Sequence, residues 1–155
     1  MQLDRLTLSI NNLLEFWKKQ DIDSPSSLLK EDNVDRDYRF LHLPDDFIQL
    51  YSRTNGMAEL YPNEMDDEGF LFYPVEAIVS ADVEFENCNL NNKNDILIFA
   101  EYMHKSWWYG VKVNSSEDYT IGILPHENFF KPITNSLSEF IEMYLEDSFE
   151  LYDYS

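Results

Sequence analysis

Ile96-Leu97-Ile98-Phe99-Ala100 is an unbroken apolar run in a chain whose residues are 26% charged. A run of strand length with no polar alternation belongs to a central strand that is covered on both faces. Its neighbours follow at once. Trp107, Tyr109, Val111 and Val113 alternate with Trp108, Gly110, Lys112 and Asn114, the period of two of a strand. Asn114 to Asp118 supplies turn residues, and Tyr119 to Leu124 resumes strand character, so two antiparallel partners are expected.

Helical periods bracket this sheet. Leu6, Ile10, Leu13, Leu14 and Trp17 fall on one helical face. A second helix is predicted from Leu43, with Pro44 in the first turn, where its missing N–H has no partner to lose, and Asp45 and Asp46 at the positive end of the dipole. Phe47, Leu50 and Tyr51 then face inward, and Asn55 and Gly56 close the helix because both tolerate left-handed backbone. Ser136 and Glu139 have capping-box spacing before the stripe Leu137, Phe140, Ile141, Tyr144 and Leu145, which predicts a C-terminal helix over the sheet. Between these, Phe70 to Tyr73 reads as a strand and Pro74 to Ser80 as a short helical turn. Asp21 to Arg39 and Asn87 to Asp95 read as surface connections, and Leu60 to Gly69 has no clean period. The expectation is one α+β domain over residues 1–155: a mainly antiparallel sheet of about five or six strands, flanked by an N-terminal, a proline-started and a C-terminal helix.

Charge narrows the partners. The 30 acidic and 11 basic side chains give a formal net charge of −19. Residues 1–56 hold 10 acidic and 7 basic groups, a net of −3, whereas residues 57–155 hold 20 and 4, a net of −16. Such a field repels phosphates and anionic lipid headgroups and attracts basic proteins, so nucleic acid and membrane are not expected as partners. The same acidity also serves plain solubility. One cysteine, Cys88, excludes an intrachain disulfide and multi-cysteine zinc patterns, and Met1 to Trp17 holds no apolar run fit for a signal peptide, so a reducing, cytoplasmic setting is expected.

The string Leu43-Pro44-Asp45-Asp46-Phe47, followed by Tyr51 and by Asn55-Gly56, resembles the signature helix of the SUKH superfamily, which includes yeast cell-wall-assembly regulators. Leu71 to Ile78 is similar to the strand and proline-led turn that come next there, and Ile96 to Ala100 to the strand after them. Ile133 to Tyr144, with Ser136, Phe140 and Tyr144, looks like the terminal helix. The resemblance covers about residues 40–147. It implies helices around a mainly antiparallel sheet, no catalytic residues, and use either as an immunity protein beside diverse toxin domains, nucleases among them, or as a regulatory adaptor. It also implies that Leu43, Pro44, Phe47, Tyr51, Asn55, Gly56 and Phe140 are structural. One departure is visible: Met103-His104-Lys105-Ser106-Trp107-Trp108 stands where many members carry glycine and aspartate in a turn.

Chemical motifs are sparse. No carboxylate pair is marked out for acid–base work, and Glu64, Asp66, Asp67 and Glu68 lack the ligand order of an EF-hand. His42, His104 and His126 lie far apart, without the helical pairing of a zinc protease. Cys88 has no adjacent basic group, and four glycines form neither a P-loop nor a dinucleotide fingerprint. The expectation is a non-enzymatic binding domain with no metal and no cofactor. Its expected partner is a basic protein, a toxin domain first of all, with a peptide or regulatory protein as the alternative.

Trp107 and Trp108 must point to opposite sheet faces, so either both faces are covered or one indole is exposed. Candidate contacts are Glu64, Asp66, Asp67, Glu68, Asp82, Glu84, Glu86, Glu101, Trp108, Glu117 and Asp118, each in an expected loop or on an expected exposed strand face.

Overall fold

The structure, a computed structural model, describes residues 4–22, 43–57, 70–85, 95–103, 105–126 and 129–153. Its helices are α1 (Arg5–Lys19), α2 (Asp45–Arg53), the single-turn α3 (Ala81–Glu84) and α4 (Leu137–Leu145). Its strands are β1 (Phe70–Phe72), β2 (Val79–Ser80), β3 (Ile96–Tyr102), β4 (Trp107–Val113), β5 (Tyr119–His126) and β6 (Phe129–Thr134). The sheet order is β1-β3-β4-β5-β6, with β2 also pairing β3, and every pairing is antiparallel. The α+β architecture is the expected one. β3 is the central strand, and Ile96, Leu97, Ile98, Phe99 and Ala100 are all buried.

One sheet face carries most of the core. Phe70 and Phe72 of β1, Phe99 of β3 and Tyr109 of β4 meet Trp17 of α1, Phe47 of α2 and Phe140 and Tyr144 of α4 in edge-to-face and stacked pairs. Burying rings of this size is the dominant favourable term, and the edge-on geometry adds roughly 0.5–1.5 kcal/mol per pair. Trp17 donates its indole N–H to the Tyr144 hydroxyl at 3.2 Å, so α1 and α4 share a polar contact within the apolar layer. At their outer edge Arg5 grips both Glu142 oxygens, at 2.6 and 2.9 Å, and holds that carboxyl below the usual carboxylate range.

The proline-started helix departs from expectation at both ends. Pro44 is the N-cap rather than a helical residue, because its ψ of 155° is extended. Its carbonyl accepts from Phe47 and Ile48 at 2.9 and 3.0 Å. The helix stops at Arg53 with Thr54 extended, and only Gly56, at φ +72°, takes left-handed backbone; Asn55 does not. These last residues serve a tertiary purpose. Asn55 Oδ1 accepts from Val75 N at 2.8 Å, Tyr51 donates its hydroxyl to the Tyr73 carbonyl at 2.7 Å, and Met57 N donates to the Phe72 carbonyl at 2.9 Å. A β-carbon on Gly56 would stand 2.4 Å from the Tyr73 carbonyl oxygen. The segment is a latch onto the end of β1.

Three further differences have local causes. Pro74 to Ser80 holds a 3-10 turn, Val75–Ala77, and then β2, and α3 follows where no helix was expected. β6 was not expected, since Lys131 and Pro132 interrupt its alternation and its burial pattern is irregular. In α4 the Ser136 hydroxyl accepts from Glu139 N as a capping box requires, but the Glu139 carboxylate turns to the Thr134 hydroxyl, and Thr134 Oγ1 accepts from Ser136 N instead. All of the segment 60–69 lies outside the described residues, as do residues 23–39 of the expected connection Asp21 to Arg39 and residues 87–94 of the expected connection Asn87 to Asp95.

Candidate protein-binding surface

The sequence candidates fall at two ends of the sheet. β4 is seven residues long, so its ends stand about 20 Å apart. Glu84, Glu101 and Trp108 lie toward the end where β3 turns into β4, Asp82 sits at the start of the same short helix as Glu84, and Glu117 and Asp118 lie in the β4–β5 turn at the other end. Glu64, Asp66, Asp67, Glu68 and Glu86 lie outside the described residues.

At the first end, α3 runs beside the β3–β4 turn. Ala81 is buried and anchors it, while Asp82 and Val83 are exposed. The Asp82 carboxylate accepts from the Ser80 hydroxyl, and Glu84 Oε2 meets Lys105 Nζ at 3.4 Å, tying α3 to the turn. Phe85, just after the helix, packs edge-on against Trp108 with ring centroids 4.8 Å apart. Trp108 is half-buried, and its indole N–H is enclosed without an acceptor. Trp107, on the opposite face, stacks on Tyr102 at 4.6 Å and donates to the Tyr109 hydroxyl at 3.0 Å. Both faces are therefore covered at this end, and neither indole stands free.

Glu101 does not face solvent. Strand β3 continues to Tyr102 and seats Glu101 between Leu71 of β1 and Trp108 of β4, where it is 6% exposed and accepts from the Tyr73 hydroxyl at 2.9 Å. A buried carboxylate with a hydroxyl donor is a structural group, so the exposed setting expected for Glu101 is corrected.

The turn itself holds two features that the candidate residues did not include. Met103 and Lys105 have φ of 49° and 66°, left-handed backbone without glycine, which is disfavoured by roughly 1–2 kcal/mol per residue. Ser106 stabilises it: its N–H donates to the Tyr102 carbonyl at 2.9 Å and its hydroxyl to the Met103 carbonyl at 2.7 Å. Met103 is 48% exposed and Val83 on α3 is 66% exposed. The sequence signal for Met103 was its place in the turn that departs from the superfamily pattern; Val83 carried none, being one apolar residue between two acids.

At the far end, Glu117 and Asp118 are exposed, and both backbone N–H groups bond the Ser115 hydroxyl. This turn is joined to α2, since Asp45 N donates to the Ser116 carbonyl at 2.8 Å. Tyr119 donates its hydroxyl to Asp46 Oδ2 at 2.5 Å while accepting from Leu137 N at 2.7 Å, so one phenol links the starts of α2 and α4. Burial and the neighbouring Asp46 push that phenol far above its ordinary range.

Among the described residues, no three His, Cys, Asp or Glu side chains converge as metal ligands, and no helix is long and apolar enough to cross a membrane. A shallow depression is lined by Pro132, Ile133, Thr134, Asn135, Ser136 and Glu139. What the first end offers is contact chemistry: carboxylates, two projecting apolar side chains and an aromatic pair. The family model of the SMI1/KNR4 family (SUKH-1) matches residues 39–143. Neither a curated protein nor a solved structure matches the chain.

Proposed function

The chain belongs to the SMI1/KNR4 family (SUKH-1), and from that premise we propose that it is a non-enzymatic protein-binding domain that acts as an immunity protein in the cytoplasm, neutralising a cognate toxin through an acidic surface. The observation that carries the reading is the family match together with the net charge of −16 over residues 57–155. A toxin that acts on nucleic acid needs a basic substrate-binding surface, and an acidic protein seated there excludes the substrate. Long-range attraction raises the encounter rate, while fit and matched charge set which toxin is held. Asp82, Glu84, Glu117 and Asp118, together with Glu64, Asp66, Asp67, Glu68 and Glu86, are the proposed acidic contacts, with Trp108 as an aromatic one.

Co-expression tests this. The product of the adjacent gene is expressed with and without this chain, and growth is followed. Protection that is lost when Asp82 and Glu84 are changed to lysine supports the reading. Growth arrest that the intact chain does not relieve, with no complex recovered, removes the immunity role and favours the adaptor.

A further inference from the structure

We propose that the corner made by α3 and the β3–β4 turn docks a basic protein segment that also carries apolar side chains, with Val83 and Met103 as its apolar contacts. The inference specifies one surface of the reading above and rests on it only for the identity of the natural partner. Val83 and Met103 are 66% and 48% exposed on elements tied together by the Glu84–Lys105 pair. Neither side chain is held out by a need of the core, since Ala81 and Phe85 do the anchoring of α3. The turn takes left-handed backbone at both Met103 and Lys105, and Ser106 fastens it. Such backbone favours glycine or asparagine, so Met103 is an uncommon residue for this turn, and its side chain is 48% exposed and available for contact.

Complementary charge identifies the partner. Asp82 is exposed beside Val83, Glu84 lies next to it, and Lys105, the only cation of the described corner, is already matched by Glu84. With −16 over residues 57–155, an acidic partner is repelled and a lysine- or arginine-bearing one drawn in. Trp108 adds an aromatic group whose indole N–H has no acceptor.

The probe is a synthetic peptide of alternating lysine and leucine, titrated into the full chain while the indole N–H resonances are followed. Saturable binding that moves the Trp108 signal is expected, and a peptide with glutamate in place of lysine is expected not to bind. Val83→Ser with Met103→Ser leaves the charge unchanged and is expected to weaken binding at least about tenfold. Leu8→Ser with Phe149→Ser, which removes exposed apolar side chains elsewhere, is expected to leave it unchanged. Absence of binding, equal binding of the acidic peptide, or equal weakening by the two pairs overturns the proposal. A toxin that the intact chain fails to bind overturns the immunity reading alone, because the peptide result does not depend on it.

Discussion

The side-chain carbonyl of Asn55 accepts a hydrogen bond from the backbone N–H of Val75 at 2.8 Å, and both residues are buried. This contact fastens the end of α2 to the turn after β1, next to the place where Gly56 passes against the Tyr73 carbonyl. Asn55→Ala leaves a buried N–H without an acceptor and is expected to lower stability by roughly 1–3 kcal/mol. Gly56→Ala meets both the steric barrier and the left-handed φ, the latter alone worth roughly 1–2 kcal/mol. Urea unfolding checks both: the midpoints should fall with an unchanged slope, Gly56→Ala further than Asn55→Ala. Equal midpoints to the wild type would mean that the signature segment closes a helix and nothing more.

Tyr119 is the second fastening. Tyr119→Phe keeps the ring packed against Phe47 but leaves the buried Leu137 N–H without its acceptor and Asp46 without its donor. The expected loss is roughly 1–3 kcal/mol. A double-mutant cycle with Asp46→Ala should show coupling between the two positions, and additive losses would contradict the bond.

Stability should also fall on the alkaline side. Burial raises the phenol pKa of Tyr109, Tyr119 and Tyr152 above the ordinary 10.0, with Asp46 and Asp147 adding to the last two. A raised folded pKa means that the folded state holds protons which the unfolded chain releases, so the contribution is intact below about pH 10 and declines as pH rises further. Thermal unfolding followed alongside phenolate absorbance should show the melting temperature dropping above pH 10. Three phenols that ionise near 10 without loss of structure would contradict their enclosure.

Association with a basic partner should depend on salt. An acidic surface that steers encounter gives an on-rate that falls steeply with ionic strength, while the off-rate changes little. Asp82→Lys with Glu84→Lys is expected to slow association most at low salt, and stopped-flow mixing reads it. An on-rate indifferent to salt and to these changes would leave charge no part in recognition.

The parts of this fold that were legible in sequence are those where one period dominates. The α1 stripe ending at Trp17, the apolar run of β3 and the alternation of β4 each follow from burial on a known face. β6 escaped because Lys131 and Pro132 suit an edge strand, where alternation relaxes. α3 escaped because a single turn is too short to show a period. Glu101 was misjudged because the apolar run stops at Ala100 while the strand runs on to Tyr102, and only strand pairing shows that a carboxylate is seated inside. Asn55-Gly56 was recognised as a boundary, but its bonds to Val75 and Tyr73 depend on which strand end folds back beside it. Of the binding surface, the acids were visible as charge, whereas the exposure of Val83 and Met103 was a matter of tertiary placement.

The immunity reading is tested most directly by a calorimetric titration of the purified chain against the product of the adjacent gene, near physiological salt. A saturating complex is expected that blocks the toxin's activity and is weakened when Asp82 and Glu84 are reversed to lysine. No heat of binding, with the toxin fully active in a large excess of the chain, would contradict it.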